Sequence, residues 1–66
     1  MKLNIYMKSG NVIPVHGVKE WKANTWGNSV ITLSIEYTWF AMRVYSRERL
    51  IVRSIDLSQI EAITIG

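Results

Sequence analysis

The sequence predicts an all-β fold, a small barrel or a strongly curved antiparallel sheet of five to six short strands. Three observations carry this expectation. Apolar residues recur at every second position through most of the chain. Clusters of Gly, Asn and Ser punctuate those runs as turns do. Sixty-six residues leave room for a single domain, 1–66. So short a chain buries only about 60% of the surface its unfolded form exposes, and its stability needs support. Small domains usually find that support in disulfides, a metal or a partner chain. The absence of cysteine excludes the first, and a single histidine, His16, argues against a structural zinc site. An efficient core or self-association remains, and closing the sheet would remove aggregation-prone edges.

Taken in order, Leu3, Ile5 and Met7 alternate with Lys2, Asn4, Tyr6 and Lys8, the pattern of a half-buried strand. A two-residue turn at Ser9-Gly10 would leave Ile13 and Val15 on the wrong face. A three-residue loop, Lys8-Ser9-Gly10, pairs Ile5 with Ile13 and Leu3 with Val15 and puts Gly10 where a left-handed residue is required. Pro14 lacks an N–H, so the second strand is an edge or bulges there. Val18 to Ala23 reads as the end of a long bent strand or as one helical turn. Alternation returns with Ile31, Leu33, Ile35 and Tyr37 on one side and Thr32, Ser34 and Glu36 on the other. Phe40, Met42 and Val44, opposed by Trp39, Ala41, Arg43 and Tyr45, continue it as a hairpin or a bent strand. Ser46 to Arg49 reads as a charged turn and Leu50 to Ile55 as another strand. Asp56-Leu57-Ser58-Gln59 resembles a capping box, which predicts one short helical turn near residues 56–59. Ile60 to Ile65 closes the chain as a strand, and no longer helix is predicted.

Eight Lys and Arg against five Asp and Glu give a net charge of +3, compatible with phosphate contact without demanding it. Polar residues interrupt the N-terminal segment too often for a signal peptide, and no stretch is long enough to span a bilayer. The expectation is a soluble, cytoplasmic protein with no membrane partner.

Catalysis is not expected. No Gly-x-Ser-x-Gly occurs, His16 alternates outward as a plain surface residue, and the carboxylates Glu20, Glu36, Glu48, Asp56 and Glu61 are scattered. Widely spaced glycines make no phosphate loop, and no metal-ligand spacing is present, so no cofactor or metal is expected. Two groups of residues do point to binding. Arg43, Arg47, Arg49 and Arg53 bracket one turn and, with Trp39, would form a basic aromatic face for nucleic acid, with stacking worth about 1–3 kcal/mol per base. The plainer account pairs these arginines with carboxylates on a solvated sheet. Trp21, Trp26, Trp39 and Tyr45 are too many large aromatics for so small a core and suit a protein interface, including one between copies of the chain. The plainer account has Trp21 and Trp26 fold back over an open barrel end. A small-molecule or nucleotide site at a barrel mouth is the remaining alternative.

The opening Met7-Lys8-Ser9-Gly10-Asn11-Val12-Ile13 and the closing Ile55-Asp56-Leu57-Ser58-Gln59-Ile60-Glu61-Ala62-Ile63 together resemble small proteins of phages and mobile elements of low-GC Gram-positive bacteria. The likeness covers about a third of the chain. It implies a non-enzymatic accessory role in a bacterial host cell, such as binding and blocking a host protein, and carries no functional residues with it.

Overall fold

The computed structural model describes residues 1–66. Five strands occupy half of the chain: β1 (Leu3–Met7), β2 (Val12–Val15), β3 (Val18–Trp26), β4 (Ser29–Tyr37) and β5 (Ile60–Ile65). Between β4 and β5 lie two short helices, α1 (Trp39–Val44) and α2 (Ser46–Ser54), and a single 3-10 turn at Leu57–Gln59. The strands form two antiparallel sheets. One is three-stranded in the order β2-β1-β5, and the other is the β3-β4 ribbon. The sheets do not close into a barrel.

The first hairpin has the expected register, Leu3 opposite Val15 and Ile5 opposite Ile13. Its three-residue loop is closed by bonds from Met7 N–H to Asn11 O (2.8 Å) and from Gly10 N–H to Met7 O (2.9 Å). Gly10 is left-handed at φ 96°, a conformation that costs a residue with a Cβ roughly 1–2 kcal/mol. Pro14 lies on an edge strand, as its missing donor requires. Leu3, Ile5, Val15, Val18 and Ile60 form the buried centre, and Leu33, Ile35, Tyr37, Val52, Ile55 and Leu57 pack around it. The core therefore sits between one face of the three-stranded sheet and one face of the ribbon, with α2 and the 3-10 turn at the side. Val18 to Ala23 belongs to the ribbon, where Trp21 faces Ile35 and Ala23 faces Leu33. A bulge between Asn24 and Thr25 leaves Ile31 without an opposite residue and turns it outward, 55% exposed, so the predicted face runs through Val30 instead.

The segment from Trp39 to Ser54 is helical except at Tyr45, in contrast to the expected strands at 39–45 and 50–55 and the expected charged turn at 46–49. Thr38 caps α1, its hydroxyl accepting from Ala41 N–H at 3.2 Å. Ala41, Met42, Arg43, Arg47, Glu48, Arg49 and Leu50 all favour helix. The inward positions Ala41, Tyr45, Glu48, Arg49, Val52 and Ile55 are spaced at three or four residues. Three of them are polar or amphipathic, which hid the helical period. The alternation of Phe40, Met42 and Val44 is that of residues left exposed. The 3-10 turn after Asp56 is present, but its carboxylate accepts from Ser58 N–H (3.0 Å) and Ser58 Oγ (2.7 Å), two residues on instead of three.

Candidate functional site

α1 and α2 meet at Tyr45, whose φ of −104° and ψ of 40° break the helix into an elbow. Three attachments hold this elbow to the sheets. Gly17 lies against Ala41, with no space for a side chain between them: a Cβ on Gly17 would overlap the Ala41 methyl. Glu48 receives His16 Nδ1 at 2.5 and 3.0 Å and the His16 backbone N–H at 3.4 Å, while Tyr45 stacks on the imidazole at 5.0 Å between centroids. Arg49 turns inward, donates to Met42 O at 2.6 Å and lies 6.0 Å from the Tyr37 ring centroid. Its bond to Met42 satisfies a carbonyl that the end of α1 leaves open. Burial pushes the Tyr37 phenol above its usual 10.0, outweighing the neighbouring Arg49 guanidinium, which favours the phenolate.

The anchoring side of the elbow is thus largely polar, and the apolar residues are on its outside. Trp39, Phe40, Met42, Val44, Leu50 and Ile51 are each at least half exposed, and α2 has no fully buried residue. Arg47, Leu50, Ile51 and Ser54 share one stripe of α2 by their spacing. Arg43 covers the Trp39 ring at 5.0 Å. No arginine lies within ion-pair distance of a carboxylate; the ion pairs are His16–Glu48 and Lys19–Glu36.

Of the expected nucleic-acid set, Trp39, Arg43, Arg47 and Arg53 lie exposed on the elbow, and Arg49 points into the fold. The expected protein-interface set is divided. Trp39 and Tyr45 belong to the elbow, with Tyr45 half-buried against His16, whereas Trp21 and Trp26 belong to the ribbon. Trp26 is 81% exposed near the ribbon tip. Trp21 packs against the core and lines a groove of about 780 Å³ with Ala23, Val30 and the β5 segment from Ile60 to Ile63. With no barrel there is no barrel mouth for a small molecule. A second groove, of about 460 Å³, lies between β4 and the end of α2, lined by Leu33, Ile35, Tyr37, Val52, Arg53 and Ile55 among others.

His16 is tied into the fold and is not the plain surface residue of the sequence reading. Glu48 is its partner from 32 positions away, and nothing local in either stretch of sequence signals the pair. No group of three or more His, Asp or Glu side chains converges as a metal site would require. No helix is long and apolar enough to cross a membrane. Comparison of the chain with protein-family models, with curated proteins and with solved structures finds no match.

Proposed function

We propose that the protein is a non-enzymatic binding module whose outer elbow surface docks on an acidic partner protein. The observation that carries this reading is the inverted amphipathicity of the elbow. Six large apolar side chains are exposed between residues 39 and 51, while Glu48 and Arg49 face the fold. Arg43 and Arg47 stand among these side chains without a carboxylate partner, and Arg53, equally unpaired, lines the second groove near the end of α2. Aromatic and aliphatic anchors surrounded by arginine make a composition enriched at protein interfaces. Unpaired guanidinium groups favour a partner that supplies carboxylates. Self-association through this surface is disfavoured, because the arginines of one copy would meet those of the other. In line with the resemblance to phage and mobile-element proteins, the partner class is a host protein that the module binds and blocks.

Nucleic acid is the second reading, since the same surface offers arginines beside Trp39. It fits less well. Arg49 is withdrawn into the fold, Arg43 already occupies a face of the Trp39 ring, and the interleaved Leu50 and Ile51 offer nothing to phosphates. Titrating a mixed-sequence single strand while following tryptophan fluorescence separates the two. Phosphate-driven binding falls steeply with salt, so quenching at low salt that vanishes at high salt would replace the protein reading with the nucleic-acid one. The expected result is no quenching. Affinity capture from a bacterial lysate with the wild-type chain and with Leu50→Asp then tests the surface itself. A partner retained equally by both baits would remove the elbow from the interface.

A further inference from the structure

We infer that the second groove, between β4 and the end of α2, binds a small amphiphile with one carboxylate head and an alkyl tail. The inference stands apart from the elbow reading, and the failure of either leaves the other intact. It begins with how the groove arises. α2 rests on β2, where Glu48 holds His16, and the 3-10 turn rests on β4. Between those two supports α2 stands off β4, and the space left, about 460 Å³, is within the range of ligand sites. Its walls are Leu33, Ile35 and Tyr37 from β4, and Val52, Ile55 and Leu57 from α2 and the segment after it. Each of these six packs against the core, yet none is fully buried. The core is open to solvent on this side, so an alkyl chain laid along the groove would leave water together with its walls.

Charge selects the head group. Arg53 is the one charged residue in the lining, and it is exposed without a carboxylate partner. Asp56 lies between two lining residues in sequence but is no part of the lining, and its carboxylate accepts from Ser58 N–H and Oγ. Arg49, one turn earlier on the same side of α2, lies 6.0 Å from the Tyr37 ring centroid and also lacks a carboxylate. Its Nε is buried and bonds to no group of the chain. Glu48, the acid that also acts on Tyr37, is engaged by His16. The groove therefore carries a positive potential with nothing inside it to compensate. Burial keeps the Tyr37 phenol neutral, a hydroxyl that donates to a carboxylate where a phenolate would repel one.

Other occupants fit these walls less well. A cation would meet guanidinium groups of its own sign, and an uncharged apolar molecule would leave Arg53 unpaired. A phosphomonoester brings nearly two negative charges to a single accessible guanidinium. Sugars and nucleosides would lose their hydrogen bonds to water against apolar walls that replace none of them. A carboxylate meets Arg53 with one charge and two parallel bonds, and an alkyl tail meets the six apolar walls.

Octanoate is the probe, titrated into the isotopically labelled full chain and followed through the amide NMR shifts. The expected result is saturable binding, with shifts confined to residues 33–37 and 52–57. Octanol, with the same tail and no charge, and acetate, with the charge and no tail, should each bind about tenfold more weakly or worse. Arg53→Ala should weaken octanoate about tenfold and leave octanol unchanged. Because Arg53 is exposed, that variant keeps the fold. Leu50→Asp on the elbow should leave octanoate binding as it was. Octanoate that does not bind saturably overturns the inference. So do shifts centred on the elbow or lost in Leu50→Asp, an alcohol that binds as tightly as the acid, or octanoate binding that survives Arg53→Ala undiminished.

Discussion

His16 and Glu48 are joined by a forked contact, two side-chain distances and one backbone N–H, that ties α2 to the end of β2. A net contribution of about 1 kcal/mol is typical of such a bond, so His16→Ala should lower stability in urea denaturation by about that amount. A variant as stable as the wild type would mean that the elbow is held by packing alone. Gly17 permits a sharper comparison. Gly17 and Gly27 are both left-handed, at φ 67° and 61°, but a Cβ on Gly27 meets nothing within 4 Å, whereas one on Gly17 overlaps Ala41. Gly27→Ala should cost about 1–2 kcal/mol of backbone strain, and Gly17→Ala distinctly more. Equal losses would show that α1 can move away from the β2–β3 turn freely. Asp56 governs an acid limb. The Ser58 hydroxyl, and after it the Ser58 N–H, hold its carboxyl below the usual 3.8. A depressed folded value stabilises above the unfolded one, and the contribution is lost as pH falls through the folded value. Thermal melts of Asp56→Ala from neutral pH downward should therefore show a shallower decline below about pH 4 than the wild type.

Among the elements, α2 has the least ordinary division of residues. A nine-residue helix is marginal in isolation and depends on what its buried face meets. Here that face includes Glu48 and Arg49 beside Val52, and the exposed stripe includes Leu50 and Ile51. Leu50→Ser and Ile51→Ser should consequently change stability by no more than about 0.5 kcal/mol, the range of ordinary surface sites. Val52→Ala, which removes packing against the core, should cost more than either. Chemical denaturation of the three variants would check this, and a large loss in Leu50→Ser would mean that the stripe is covered within the monomer. The same inversion explains why these residues read as strands. A sequence reveals a helix when its apolar residues gather on the buried side, and the elbow puts Phe40, Met42 and Val44 outside at a spacing that imitates a strand. Local rules fail most often where a surface serves a partner. The hairpins behave differently. Turn chemistry at Gly10 and the inward alternation of Leu3, Ile5, Ile13 and Val15 agree with each other, so register was readable.

For the whole molecule, surface area expresses the same imbalance. The chain exposes 4734 Å², whereas a compact monomer of this mass exposes about 4,300 Å². Only six of its 66 residues are fully buried. Stability for this length is about 3–10 kcal/mol, and Leu3→Ala, which opens the centre of the core, costs about 2–5 kcal/mol. Urea denaturation of Leu3→Ala followed by circular dichroism should show a markedly lower midpoint than the wild type, and an unchanged midpoint would mean that the site repacks.

The sequence by itself determined the strand-rich class, the first hairpin and its register, the edge position of Pro14 and the helical turn after Asp56. Each follows from contacts within a few residues or from a period of two, and such forces act on the chain wherever it folds. Only the tertiary structure decided that the sheets stay open, that residues 39–54 coil, that Arg49 turns inward while the other arginines remain outside, and that His16 finds Glu48. Those outcomes depend on which surfaces of distant segments meet, as when Gly17 gives Ala41 room to approach, and no local pattern encodes that meeting.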